Sequence, residues 1–230
     1  MEISPLNNYI LLEPVSFERK TSGGLYLPDK TADDEARWFK VIKPGPGLPD
    51  MFGNIQGLDY EAGEYIYVFP HAVHKVNLKD YGEGYPDKEI VFVSEGDVLV
   101  RSKNPSELVF TPVGSYCIIT RMKSPDRTAG GIYLPDKSVP PPALAKVVAV
   151  GTGYRTAATG ILKLLGELNA PGKDITKLIK ESVPLNVKPG DTVLIVATAP
   201  MKLNLEPFGL KNEYFIVGEA DILCKLEVSQ

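Results

Sequence analysis

The chain is poor in the residues that most site chemistry uses. Of its 230 residues, two are cysteine, two histidine and one tryptophan. With His71 and His74 as the two histidines and no Cys-x-x-Cys, the sequence offers no zinc site. Cys117 and Cys224 stand in apolar, strand-like runs of the second half. They read as two buried thiols in a reducing compartment. A disulfide is the alternative if the first and last strands of that half adjoin. No apolar run approaches the ~18–20 residues that span a bilayer, so no membrane partner is expected. The opening Met1-Glu2-Ile3-Ser4-Pro5 lacks the basic and apolar regions of a signal peptide. Net charge is −4, and the basic residues are scattered, with no basic stripe interleaved with aromatics. Nucleic acid is therefore not an expected partner. There is no Gly-rich strand-turn-helix for a nucleotide and no nucleophile–base pair. The chain is expected to be no enzyme and to use no cofactor.

What is present is a repeat. Gly23-Gly24-Leu25-Tyr26-Leu27-Pro28-Asp29-Lys30 returns as Gly130-Gly131-Ile132-Tyr133-Leu134-Pro135-Asp136-Lys137. Thr21 before the first copy matches Thr128, and Thr31 after it matches Ser138. A long internal repeat means two versions of one unit. The length suits two small domains, and we place them at 1–103 and 108–230. Hydrophobic content of 43% and charged content of 23% suit packed globular units. Each copy sets an apolar triplet inside a polar segment without helical or strand periodicity. A Gly-Gly pair frees the backbone before the triplet, and a proline after it blocks a helix or central strand. Three large apolar residues on such a loop either tuck onto their own domain as a hairpin tip or edge strand, or bind something else.

In chain order, Tyr9 to Leu12 reads as a strand, followed by the loop at about 16–36. Arg37 to Ile42 is a second strand, ended by Pro44-Gly45-Pro46-Gly47. An irregular excursion, Leu48 to Tyr60, leads to the turn Glu61 to Glu64 and the strand Tyr65 to Phe69. Further strands are expected at His71 to Leu78, Lys88 to Val93 and Val98 to Val100. The second half repeats this order. Thr111 to Ile119 matches Ser4 to Leu12, and Lys146 to Gly151 matches Lys40 to Gly45. Lys188 to Ile195 matches Glu61 to Val68, and Phe215 to Leu223 matches Val91 to Leu99. The fold class is all-β, two tandem small barrels with Gly- and Pro-rich connections; twenty prolines argue against a helical protein. The second half also carries an insert at about 160–182. Ile161, Leu164, Leu165 and Leu168 share one helical face, as do Ile175, Leu178 and Ile179, so two short amphipathic helices packed on their own barrel are expected.

Taken together, each half resembles the co-chaperonin family, the GroES-like ring lids of chaperonins. Pro5 to Leu12 looks like that family's first strand. Lys20 to Leu27 and Arg127 to Leu134 look like its mobile loop, including the Gly-Gly and the triplet. Lys188 to Val193 resembles its turn before a central strand, and Glu219 to Leu223 its closing segment. The resemblance implies a homo-oligomeric ring that caps a chaperonin double ring and assists ATP-dependent folding. It implies that the loop is disordered when free and folds as a hairpin on the chaperonin, the triplet filling an apolar groove. By that resemblance the partner-binding residues are Gly23, Gly24, Leu25, Tyr26 and Leu27, with Gly130, Gly131, Ile132, Tyr133 and Leu134. Weak contacts that order a loop stay reversible, and several on one ring add ~10²–10⁴ by avidity. Family members are usually single units in seven-fold rings, with tandem members known from plastids. Whole tandem chains give even numbers of domains. The compartment expected is the cytoplasm, or the plastid stroma for a mature plastid form.

A second reading keeps the fold and changes the use. A structural protein, such as a virion or capsid decoration or assembly component, would use the two loops as docking arms for an assembly protein. The third, an enzyme related to the GroES-like domain of alcohol dehydrogenases, lacks the parts named above. The triplet kept in both halves favours the lid.

Overall fold

A computed structural model describes residues 3–15, 37–49, 55, 57–122, 143–153, 183–211 and 213–226. Its regular structure is antiparallel β-sheet joined by 3-10 turns of three or four residues. The chain divides into two compact units. Unit 1 holds Met1–Phe110 together with Asn204–Lys211, and unit 2 holds Thr111–Leu203 and Asn212–Gln230. The helical segment expected at about 160–182 lies outside the described residues. No helix among the described residues is long and apolar enough to cross a membrane.

Unit 1 contains β1 (Tyr9–Pro14), β2 (Arg37–Pro44), β3 (Tyr65–Val68), β4 (His74–Asn77), β5 (Glu89–Ser94) and β6 (Val98–Ser102). They lie side by side in the order β4-β5-β1-β2-β3-β6. The strand expected from His71 is shorter. Pro70–Ala72 forms a 3-10 turn, because the proline fixes φ and removes the N–H a ladder would use, and pairing starts at His74.

Unit 2 opens with the two-residue β7 (Thr111–Pro112). Then come β8 (Tyr116–Arg121), β9 (Ala143–Val150), β10 (Thr192–Ile195), β11 (Met201–Lys202), β12 (Phe215–Gly218) and β13 (Ile222–Leu226). Their order is β11-β12-β8-β9-β10-β13, the order of unit 1 strand for strand.

The likeness extends to irregularities. Leu11 faces Lys43 and Leu12 faces Val41, so Ile42 is an extra residue, a β-bulge. Ile118 faces Ala149 and Ile119 faces Val147, so Val148 is the same bulge in unit 2. A second register shift recurs at Tyr67/Val68 and Leu194/Ile195. Bulges re-aim side chains, which accounts for an exposed Ile42 and Val148 on otherwise well-packed strands. Ahead of the first long strand, Asn7 and Gly114 take the same left-handed conformation (φ 53° and 59°), where Asn and Gly are least strained.

Ile10, Leu11 and Leu12 are all buried, as are Cys117, Ile118 and Ile119. Neighbouring side chains on a strand point to opposite faces, so the first long strand of each unit is covered on both. The unit 2 core gathers Cys117, Ile119, Val147, Val193, Ile195 and Val217. Cys117 is therefore the buried thiol the sequence suggests, and burial, with the Glu219 charge adding, pushes its pKa up to about 12. Cys224 corrects the expectation. It lies exposed on β13, an outer strand of the sheet, and both cysteines are free. β9 and β10 stand between β8 and β13, so the first and last long strands do not adjoin and the disulfide alternative fails.

Candidate functional site

Both apolar triplets belong to connections between the first two long strands of a unit. In unit 1 the β1–β2 ladder runs out to Pro14 opposite Phe39, and the Val15 N–H donates to the Trp38 carbonyl at 3.3 Å. In unit 2 the β8–β9 ladder runs out to Arg121 opposite Ala145, and the Met122 N–H donates to the Leu144 carbonyl at 2.8 Å. Val15 and Met122 are counterparts, as are Trp38 and Leu144. The two connections therefore leave and rejoin their sheets at the same points. Gly23, Gly24, Leu25, Tyr26 and Leu27, and Gly130, Gly131, Ile132, Tyr133 and Leu134, lie outside the described residues.

The base of each connection is held firmly. Trp38 is 2% exposed and sits among Tyr67, Phe110 and Phe208 with ring centroids 5.1, 5.9 and 5.4 Å away. Its indole Nε1–H donates to the Asn204 carbonyl at 2.7 Å. In unit 2, Arg121 at the end of β8 donates from Nη2 to the Ala197 carbonyl at 3.0 Å and covers the Phe215 ring at 4.8 Å.

At the far end of β3, the carboxylate of Glu64 is nearly fully buried and takes two hydrogen bonds from Arg101, from Nε at 2.8 Å and Nη2 at 3.1 Å. Arg101 Nη1 reaches Asp59 at 3.2 Å, and its guanidinium lies 4.9 Å over the Tyr60 ring. Burial works to lower the Arg101 pKa, but the hydrogen bond and charge of Glu64, then Asp59, raise it above the ordinary value. Unit 2 keeps a shorter version, with Lys225 Nζ 3.2 Å from Asp191. The pairs occupy matching places, Glu64 with Asp191 and Arg101 with Lys225. They tie the penultimate and last strands of the sheet core.

The two histidines are engaged with rings. His71 stacks on Phe69 at 5.2 Å and His74 meets Tyr9 edge-on at 6.1 Å. Among the described residues no group of three or more His, Cys, Asp or Glu side chains could hold a metal ion.

One matched element escapes the sequence reading above. Asn77-Leu78-Lys79-Asp80-Tyr81-Gly82 starts at the last residue of β4, and Asn204-Leu205-Glu206-Pro207-Phe208-Gly209 comes shortly after β11. In both, the Asn side chain accepts from the N–H two residues on, at 3.1 and 3.0 Å. In both, a 3-10 turn ends in Gly, whose N–H bonds back to residue 79 or 206. The signal was available as Asn-Leu-x-x-aromatic-Gly. It is easily missed because the flanking strand shrinks from four residues to two.

Two antiparallel sheets with one strand order, each carrying a connection at the same point between its first two long strands, define a tandem GroES-like protein. The family model of the chaperonin 10 kDa subunit (Cpn10) matches twice, over residues 2–101 and 109–164. The chain belongs to the chaperonin 10 kDa subunit family. Similar proteins include a co-chaperonin GroES of Lawsonia intracellularis, 33% identical over 113 residues, covering 49% of this chain and 87% of the relative. One of Thermus thermophilus is 30% identical over 119 residues, covering 52% and 93%. One of Myxococcus xanthus is 35% identical over 99 residues, covering 43% and 95%. Each relative thus corresponds to about half of this chain.

Proposed function

We propose that the chain is a non-catalytic co-chaperonin that docks on a chaperonin double ring and assists ATP-dependent folding. Two loops carry the docking: Gly23 to Leu27 and Gly130 to Leu134. The observation that supports this most is the matched anchoring. A protein that needs two equivalent loops has reason to root them at equivalent points, Val15–Trp38 and Met122–Leu144. The glycines give each loop its turn, and Leu25, Tyr26 and Leu27, with Ile132, Tyr133 and Leu134, enter an apolar groove. The domains are those placed at 1–103 and 108–230. The working compartment is that of the chaperonin, cytoplasm or plastid stroma.

We further propose that the chain is a homo-oligomer. Leu223 on β13 is 53% exposed, while its counterpart Leu99 on β6 is fully buried. Leu226 is exposed as well. An outer strand with exposed apolar side chains calls for a partner.

The test is co-elution with a chaperonin double ring, with and without nucleotide, against a Leu25→Ser, Ile132→Ser control. Capture that needs nucleotide and is lost in the control supports the reading. A folded oligomer that no chaperonin captures overturns it and leaves the structural role, with the loops as arms for another assembly.

A further inference from the structure

Trp38 stands where the first docking loop rejoins its sheet. Arg37 opens β2, and the Trp38 carbonyl accepts the bond from the Val15 N–H at the mouth of the loop. The Trp38 side chain is held by an arm from much later in the chain, Asn204–Gly209, which lies in unit 1.

The hold is polar and has two prongs. Trp38 and Tyr67 face each other across the β2–β3 ladder. The Trp38 indole donates to the Asn204 carbonyl at 2.7 Å, and the Asn204 N–H donates to the Tyr67 hydroxyl at 3.2 Å. One cross-strand pair thus grips both backbone groups of one arm residue. The arm is fixed in its turn. Asn204 Oδ1 accepts from the Glu206 N–H at 3.0 Å, and Leu203 and Leu205 on either side are buried. Phe208 stands edge-on to Trp38 at 5.4 Å and to Tyr65 at 5.6 Å.

The root of the second loop has the same backbone and different side chains. Leu144 accepts from the Met122 N–H, and its cross-strand partner is Leu194. A leucine side chain has no polar atom, so this pair cannot grip a backbone in that way, whatever packs on it.

We propose that Trp38, Tyr67 and Asn204 are positioning residues for the first docking loop, and that the two loops are therefore unequal toward the chaperonin. A binding segment whose attachment is fixed beforehand gives up less freedom on docking. The grip raises the affinity of the first loop and leaves that of the second unchanged. The inference rests on the docking reading above and adds what sets the strength of one loop.

Trp38→Phe and Tyr67→Phe each remove one prong and keep a ring. In the free full-length chain, each is expected to speed amide exchange at Val15. The increase should be at least about threefold greater than at Val41, further along β2, or at Met122. Docking is read in chains with one intact triplet: Ile132→Ser keeps the first, Leu25→Ser the second. In the Ile132→Ser chain, Trp38→Phe is expected to raise the concentration for half-capture by a chaperonin double ring with nucleotide about three- to tenfold, the worth of about one hydrogen bond. In the Leu25→Ser chain the shift should stay under about twofold. Equal shifts in the two chains, as a general loss of stability would give, overturn the inference. So does no shift in either, unchanged exchange at Val15, or an Ile132→Ser chain that escapes capture when wild type does not. Each of these leaves the docking reading standing. A wild-type chain that no chaperonin captures overturns both.

Discussion

The Trp38 indole donates its N–H to the backbone carbonyl of Asn204 at 2.7 Å, joining residues 166 positions apart in the sequence. The donor is buried, so loss of the bond leaves a polar group poorly satisfied. Trp38→Phe keeps most of the ring and removes the donor. It is expected to cost about 1–2 kcal/mol, read as a lowered urea midpoint. Trp38→Ala also empties an aromatic cluster and is expected to cost about 3–5 kcal/mol.

The two matched ion pairs are expected to respond unequally. Glu64 has a side chain 2% exposed, so Arg101→Ala strands a buried carboxylate. The expected loss is about 3–5 kcal/mol. Lys225 and Asp191 are 39% and 16% exposed, and solvent screens them. Lys225→Ala is expected to cost about 1 kcal/mol or less. Equal losses in chemical denaturation would contradict this account.

Asp191 also carries a pH signature. Its carboxylate accepts from the Lys188 N–H at 2.9 Å, and this bond, opposed by burial and helped by Lys225, holds its pKa below the ordinary 3.8. A carboxyl depressed in the folded state stabilises fully above its unfolded pKa and loses that contribution as pH falls through the folded value. Wild type and Asp191→Asn are expected to differ most near neutral pH. Their urea midpoints should converge below about pH 4. A gap that widens in acid would contradict the assignment.

Gly153 and Gly190 have the same φ of 93°, in a region that favours glycine, but different neighbours. A Cβ at Gly153 would stand 2.0 Å from the Val183 carbonyl oxygen, whereas one at Gly190 meets nothing within 4 Å. Gly190→Ala is expected to cost about 1 kcal/mol of backbone strain. Gly153→Ala adds a clash with backbone, and a loss beyond about 2 kcal/mol in thermal unfolding is expected.

Much of this was legible in the sequence because the repeat supplies its own control. Most of the long strands could be checked against a counterpart, though not β4, and the order of β1 to β3 follows from apolar runs punctuated by Pro-Gly turns. The positions of the two loops follow in the same way. What stayed hidden depends on three dimensions. Cys224 sits in a run as apolar as that around Cys117, and only its place on an outer strand exposes it. The arm at Asn204 escaped because its flanking strand is two residues long, too short for any periodicity to show. The burial of Glu64 depends on Arg101, which no spacing rule connects to it.

The duplicated bulges at Ile42 and Val148 bear on how the chain finds its fold. A bulge fixes register, and here both copies of the strand pair share one register. A strand from one half therefore fits the ladder of the other without a slip, hydrogen bond for hydrogen bond. The backbone cannot tell the halves apart, and sorting falls to side-chain volume. Phe39 in one ladder occupies the place of Ala145 in the other, and Trp38 that of Leu144. During refolding, those two positions on each ladder are where a wrongly chosen strand meets either a clash or a hole.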